Sequence, residues 1–527
     1  MAVNNVISKL RANANMSQEQ FAELFGVSRQ SVQKWESGAS LPELDKLIKM
    51  SKHFDISLDA LVFESDARIT EELKGTKDLK PKYENIHSWE SYYSSLGLKT
   101  EYQQSIEEGL DIAQYEELFT VVIRLPQDEV KKKLGDVLFQ IVHNAKMVED
   151  YKYNEPSTLD EIKALRKNPE FKGTVDKKNL KDKIHGAWMG RICGCLLGKT
   201  VEGIKTDELI PVLKNSNNYP MHRYIVRGDI DTQMVENYRF RFEKRPFADE
   251  MDGMPVDDDT NYVVLAQKLI EKYGKDFTDY DMSRIWLSLQ PKDAYCTAER
   301  VAFCNFVNGF EPPESAVYKN PYREWIGAQI RGDYFGYINP GKPQLAAEMA
   351  FRDASISHIK NGIYGEMFVA AMLAAAATTN DIKAIINCGL AQIPYTSRLY
   401  EAITDVITGY EKGVSQEDCF KDIHSRYDEY TSYGWCHTIS NAMVVAASLL
   451  YGGGDFGKSI CMSVETGFDT DCNGATVGSI LGLAFGIDCI DEVWTKPINN
   501  KLHTSIFGVG TIKITDAVDT TMKHIEL

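Results

Sequence analysis

Three glycines at four-residue spacing, Gly474, Gly478 and Gly482, lie in the apolar run GATVGSILGLAFG. On a helix they form one flat ridge, on which a second helix can pack closely. Its surroundings carry the same helical stamp. From about Ile184 onward, alternating strand patterns are few and the 3.6-residue period is frequent. That period predicts helices over 260–273, 344–354, 365–377, 382–391, 441–450 and 474–485. The expectation is a large all-α domain over 181–527.

A chain of 527 residues is too long for one core and predicts about three domains. Hydrophobic residues at 43% and charged residues at 26% exclude a mainly disordered chain. With a net charge of −17 the chain is a poor general polyanion binder, so any nucleic-acid contact must come from a local surface. No apolar run reaches the ~18–20 residues of a membrane span, and the N-terminus lacks a signal pattern. No membrane partner is expected. The ten cysteines include no CxxC. That points away from zinc fingers and disulfides and toward buried thiols in a reducing, cytoplasmic setting.

Residues 1–65 predict a separate helical unit. Ser17 with Gln20 is a capping box, Gly26 breaks the helix after Phe25, and Ser28 caps the next one. Two short helices around a glycine turn suggest a helix-turn-helix DNA-binding domain. Ser28, Arg29, Gln30, Gln33 and Lys34 occupy the positions that face the major groove, while Val32 and Trp35 point inward. Residues 1–62 carry seven basic and seven acidic side chains, so affinity per monomer is modest and a homodimer on a two-fold site is expected. The run MSQEQFAELFGVSRQSVQKWESGASLPELDKLIKMSKHFDISLDALV resembles the Cro and lambda-repressor type of helix-turn-helix. Residues 66–180 predict a linker over 65–82, helices over 102–109, 113–122 and 127–151, and a second linker over 167–183. A helical connecting or dimerisation region is the expectation there.

Two acidic clusters stand out in the large domain. Asp257, Asp258 and Asp259 precede the helix NYVVLAQKLIEKY, and Asp469 and Asp471 precede the glycine ridge. Helix capping accounts for a single cluster. It does not account for five carboxylates, since three adjacent aspartates repel one another unless something positive sits among them. Hard divalent cations take such oxygen ligands, and helix packing that joined the clusters would build a metal site. Residues 357–365 open an Ala-rich helix, and amides there together with His358, Asn361, Gly362, Tyr364 and Gly365 are candidates to hold phosphate or ribose oxygens. No Ser-His-Asp order or G-x-S-x-G is present, which argues against acyl hydrolysis.

Four motifs in order, HGAWMGRICGCLLGKTVEG, VDDDTNYVV, GAQIRGDYFGY and GFDTDCNGATVGSILG, resemble the ADP-ribosylglycohydrolase family, which includes the dinitrogenase reductase-activating glycohydrolase. The resemblance implies an all-α fold with two Mg2+ ions (Mn2+ being possible) held by Asp257, Asp258, Asp259, Asp469 and Asp471, with Glu202 nearby. Asp257 stands where the family has Ser or Thr, and Cys472 where it has a metal-binding Thr. Trp325-Ile326-Gly327-Ala328 replaces a Gly-Asn-Gly phosphate loop.

Together these imply a metal-dependent hydrolase of an ADP-ribosyl or related ribosyl bond, fused to a sequence-specific DNA-binding domain. Its substrate would be ADP-ribosylated or ribosylated. Glu202, Asp258 and Asp471 are the candidate catalytic residues, and the sequence leaves open which is the base. The alternative is a transcriptional regulator whose large domain senses ADP-ribose or a related nucleotide. In a third reading the head only dimerises an enzyme.

Overall fold

The computed structural model describes residues 2–56, 61 and 86–527. The chain divides into two compact units, with the boundary after Ile86. The linker expected over 65–82 lies outside the described residues.

In the first unit, helices α1 (Ala2–Asn13), α2 (Gln18–Phe25), α3 (Arg29–Glu36) and α4 (Leu44–Phe54) enclose a small core of Ile7, Phe21, Phe25, Val32, Trp35 and Met50. Both predicted caps are present. Ser17 and Gln20 form a reciprocal capping box, and Ser28 Oγ accepts from the Ser31 amide at 3.1 Å. Gly26 ends α2 in the left-handed conformation at φ +64°, where a side chain would be strained. Arg11 donates to Glu36 at 2.6 Å, tying α1 to the end of α3. Leu24, Leu41, Leu44 and Ile48 share the helical period but lie exposed.

The second unit is all-α. Among its described residues the one sheet pairs two short antiparallel strands, Lys501–His503 and Thr511–Lys513. The predicted helices are present, and four of them start earlier than periodicity placed them, at Asp258, Lys360, Thr438 and Thr470, because polar residues make up their first turns. The glycine ridge meets a second ridge on the helix Leu180–Lys199. Gly186, Gly190 and Gly194 face Gly482, Gly478 and Gly474 in antiparallel order, and Gly198 faces the backbone of Thr470 and Asp471. A Cβ at any of these would collide with the opposite backbone. The zipper fixes the register of the two helices and sets the end of one, at Lys199, against the start of the other, at Thr470. Thr470 Oγ1 donates to the Gly198 carbonyl at 2.9 Å at this junction.

The three-segment division differs from the observed one. Residues 87–180 belong to the large unit rather than standing between two domains. Buried charges bind them in. Arg323 donates to Glu101 at 2.9 Å and Glu108 at 2.7 Å, Lys360 to Glu108 at 2.9 Å, and Arg398 to Glu155 at 2.8 Å. The stretch expected as a second linker is also fastened, since Gln392 and Gln344 both donate to the Pro169 carbonyl. Among the described residues no helix is long and apolar enough to cross a membrane.

Candidate metal centre and its surroundings

The acidic clusters, about 210 residues apart in sequence, meet at the junction created by the glycine zipper. Asp257 caps the helix Asp258–Tyr273, its carboxylate accepting from the Asp259 amide at 2.8 Å. Asp469 precedes the helix Thr470–Phe485 yet makes no side-chain cap bond, so capping does not explain it. One ligand atom each from Asp259, Asp471 and Cys472 lies within 4.8 Å of the others, and the same holds for Cys195, Asp257 and Asp259. Asp259 is common to both groups. One oxygen of Asp259 and one of Asp471 are buried without a hydrogen-bond partner. Unpaired buried carboxylate oxygens are costly, and a hard cation between them relieves that cost.

Three cations of the chain already serve this centre. Arg191, fully buried, donates to Asp259 at 3.0 Å and pairs with Asp333 at 2.9 Å. Lys199 forms a short ion pair with Asp257 and lies 3.6 Å from Glu202 and 4.0 Å from Asp471. Burial works against its charge, but Asp257, Glu202 and Asp471 outweigh that and hold the ammonium protonated well above its usual range. Six carboxylates thus face three cations, Arg191, which is shared with Asp333, Lys199, and Arg245 beside Glu202. Without further positive charge, burial and mutual repulsion push the acids up. Asp469 rises to about 6 through burial, Glu202 and Asp257. Asp258 rises to about 8 through burial and Asp257. Asp471 and Asp259 also rise well above the ordinary carboxylate value, burial being the largest cause.

Exposure separates the three candidate catalytic acids. Asp471 is buried, whereas Glu202 and Asp258 are partly open to solvent. Glu202 sits at the rim, with Arg245 at 3.5 Å from its carboxylate. Arg191 and Lys199 stand inside the first quoted motif, yet spacing alone gave them no role. Asn441 was also missed. Its Oδ1 accepts from the Asp469 amide at 3.1 Å and from Asn473 at 2.8 Å, which fixes the loop that presents Asp469.

His358 and residues 361–365, expected to hold phosphate or ribose oxygens, are buried. His358 is fully buried with its Nδ1 2.8 Å from Ser357 Oγ. Asn361 donates to Glu155 at 2.8 Å and Glu324 at 2.9 Å, and Tyr364 donates to the Pro156 carbonyl. Gly362 lies against the Arg323 carbonyl and Gly365 against Thr438. These residues hold the 87–180 stretch in place. Trp325, Ile326 and Ala328 are likewise buried, so the segment replacing the phosphate loop presents no open cradle. In the first unit, Ser28, Arg29, Gln30, Gln33 and Lys34 are all exposed, and Arg29 pairs with Glu19 at 2.9 Å.

Comparison with known proteins follows the same division. Residues 176–521 match the ADP-ribosylglycohydrolase family model, and residues 7–61 match that of a helix-turn-helix family. The HTH-type transcriptional activator BcrR of Enterococcus faecalis is 34% identical over 87 residues, 16% of this chain and 43% of that protein. The cryptic phage CTXphi transcriptional repressor RstR of Vibrio cholerae serotype O1 is 34% identical over 61 residues, 12% of this chain and 54% of that protein. The chain thus spans only about half the length of these curated relatives. A solved structure described as an ADP-ribosylglycohydrolase-related protein complex has a TM-score of 0.42 at 17% identity, over 66% of this chain and 98% of that one. With its matched motifs and its all-α core, the chain belongs to the ADP-ribosylglycohydrolase family and carries an N-terminal helix-turn-helix domain.

Proposed function

We propose that the large unit is a metal-dependent hydrolase of an ADP-ribosyl or related ribosyl glycosidic bond, and that the head binds specific DNA as a homodimer. One observation carries the enzymatic part. Unpaired buried oxygens of Asp259 and Asp471 converge where negative charge exceeds positive, a donor set that fits Mg2+ or Mn2+. Asp259, Asp469 and Asp471 would hold the ion, with the Cys472 thiol a poor ligand for either metal beside them. The family resemblance implies two ions, but in this chain the Lys199 ammonium already neutralises the Asp257 side. When bound, the metal supplies Lewis acidity toward ribose hydroxyls and water.

Proton traffic falls to the two carboxylates that reach solvent. Glu202 at the rim suits the base that takes a proton from attacking water. Asp258, the other carboxylate open to solvent, is the candidate acid that hands a proton to the leaving group. The surrounding carboxylates stabilise positive charge developing at the anomeric carbon. Asn441 and Arg191 hold Asp469 and Asp259 in place. Turnover of ADP-ribosyl-arginine, ADP-ribosyl-serine and simple ribosides with Mg2+ or Mn2+ tests this reading. Release of the free sugar from at least one of them is expected, and inertness of all would overturn it.

A regulatory reading shares the same site: a nucleotide bound in the large unit changes the DNA affinity of the head. Coupling of this kind must be reciprocal. Equal DNA affinity with and without saturating ADP-ribose removes that reading for this ligand.

A further inference from the structure

The helices Glu116–Arg124 and Glu129–Asn144 carry more apolar residues than their core uses. Phe119, Val122 and Leu138 are buried with Leu98 and Ile112 in a small core of their own. A second apolar stripe on each helix stays outside. Val121 and Val130 are 59% and 58% exposed, and Leu118, Leu134 and Val137 are exposed as well. On the longer helix Val130, Leu134 and Val137 continue to the partly buried Ile141, at steps of four, three and four residues. Such spacing keeps all four on one helix face. Apolar residues scattered singly over a surface need no explanation, but a continuous face marks an interaction site. Residues 116–144 lie outside both matched regions, 7–61 and 176–521.

The two helices are held rigidly. Buried Lys131 closes the turn between them, donating to Ser95 Oγ at 2.8 Å and to the Ile123 and Leu125 carbonyls at 3.0 and 3.1 Å. Asp128 caps the second helix, accepting from the Val130 amide at 2.9 Å and the Lys131 amide at 3.0 Å. A partner therefore meets a preformed surface, and little ordering entropy is lost on docking.

Two features point to the partner. The four-three-four spacing is palindromic, so a second copy of the helix running antiparallel sets Val130 against Ile141 and Leu134 against Val137. The shorter helix behaves in the same way. Glu117, Val121 and Arg124 follow i, i+4, i+7 and share one face. Antiparallel pairing about Val121 places Glu117 of each copy beside Arg124 of the other. Both are exposed, and among the described residues neither has an ion pair or a side-chain hydrogen bond. A face whose charges complement themselves fits the same face on a second copy.

We propose that the exposed stripes of the helices Glu116–Arg124 and Glu129–Asn144 form a homodimer interface, in which two copies meet across a two-fold axis with each helix antiparallel to its counterpart. The inference deepens the homodimer reading of the DNA-binding head and rests on it, since two-fold half-sites require two chains. At ~1.5 Å of rise per residue and ~10 Å across, helices of 9 and 16 residues offer about 400 Å2 of face per copy, below the ~800 Å2 per partner of a standard interface. The dimer should therefore dissociate on dilution.

Sedimentation velocity of the full chain over a wide concentration range tests it. Wild type should shift from monomer to dimer as concentration rises, whereas Val121→Asp and Leu134→Asp should stay monomeric. Glu117→Arg sets arginine against arginine across the axis and should weaken the dimer by about tenfold or more. Arg124→Glu should do the same, and the double swap should restore the dimer. All four positions are exposed, so the variants keep the fold, which circular dichroism checks. A wild-type dimer that none of these substitutions weakens would overturn the proposal and leave the homodimer reading standing, with its interface elsewhere. Weakened single swaps that the double swap does not rescue would overturn the antiparallel pairing. A chain monomeric at every concentration, alone and on DNA, would overturn both readings and give the face to a different occupant.

Discussion

Asp469→Asn, a substitution that removes a proposed metal ligand, should stabilise the metal-free protein. Asp469 is 5% exposed, and burial with Glu202 and Asp257 raises its carboxyl from 3.8 to about 6. Because the folded-state value is raised, this group's contribution to stability is complete below about pH 4 and is lost as pH rises through about 6. Two pH units at ~1.4 kcal/mol each make the loss about 3 kcal/mol. The asparagine is neutral throughout and escapes it. Urea unfolding of chelator-treated protein, followed by tryptophan fluorescence, reads the difference. Six of the seven tryptophans lie in the large unit and dominate the signal. At about pH 7.5 the variant should be more stable than wild type by up to ~3 kcal/mol, and at about pH 4 the two should coincide. Saturating Mn2+ should reverse the order at the higher pH, because wild type alone keeps the full ligand set. A metal-free variant less stable than wild type at about pH 7.5, or a gap equal at both pH values, refutes the electrostatic reasoning.

Gly194→Ala pushes a methyl into the Gly474 backbone and should cost about 2–3 kcal/mol in urea unfolding, with weaker Mn2+ uptake because the acidic clusters separate. A chain starting at residue 176 should fail to fold while one starting at 87 folds, as judged by circular dichroism. The shorter chain removes Glu101 and Glu108, the carboxylate partners of buried Arg323, and an unpaired buried charge costs ~3–5 kcal/mol. Lys199→Met should let the protein take up a further Mn2+ ion that wild type lacks, counted by elemental analysis after dialysis. Arg29→Ala and Gln30→Ala should each weaken specific DNA binding by ~1–3 kcal/mol, on half-sites about 10 bp apart. Selection of bound sequences that returns no motif contradicts this.

Much of the fold was legible because its signals are local. Ser17, Gly26 and Ser28 mark the head helices by capping and turn chemistry, and the Gly474 ridge announced close helix packing. Its partner ridge at Gly186, Gly190, Gly194 and Gly198 was present in the sequence too, but matching the two requires knowing that the helices run antiparallel. The meeting of Asp257–Asp259 with Asp469–Asp471 followed from charge repulsion that only a shared counter-charge relieves. Lys199 and Arg191, the chain's own part of that counter-charge, sit among apolar and glycine residues, where periodicity gives them no address. The core partners of residues 358–365 were hidden for a related reason. The polar side chains of this stretch satisfy Glu155, Glu324 and Ser357 inside the core, and the partners Glu155 and Glu324 lie far away in sequence. The same long-range pairing drew 87–180 into the large unit, where local composition suggested a connector.

Anomalous diffraction from crystals of the full chain grown with Mn2+ tests the central claim most directly. The account predicts a manganese peak bonded to carboxylate oxygens of both Asp259 and Asp471, lost in Asp471→Asn. Fully occupied manganese elsewhere with none between these two residues, or no bound manganese at saturating concentration, would contradict it.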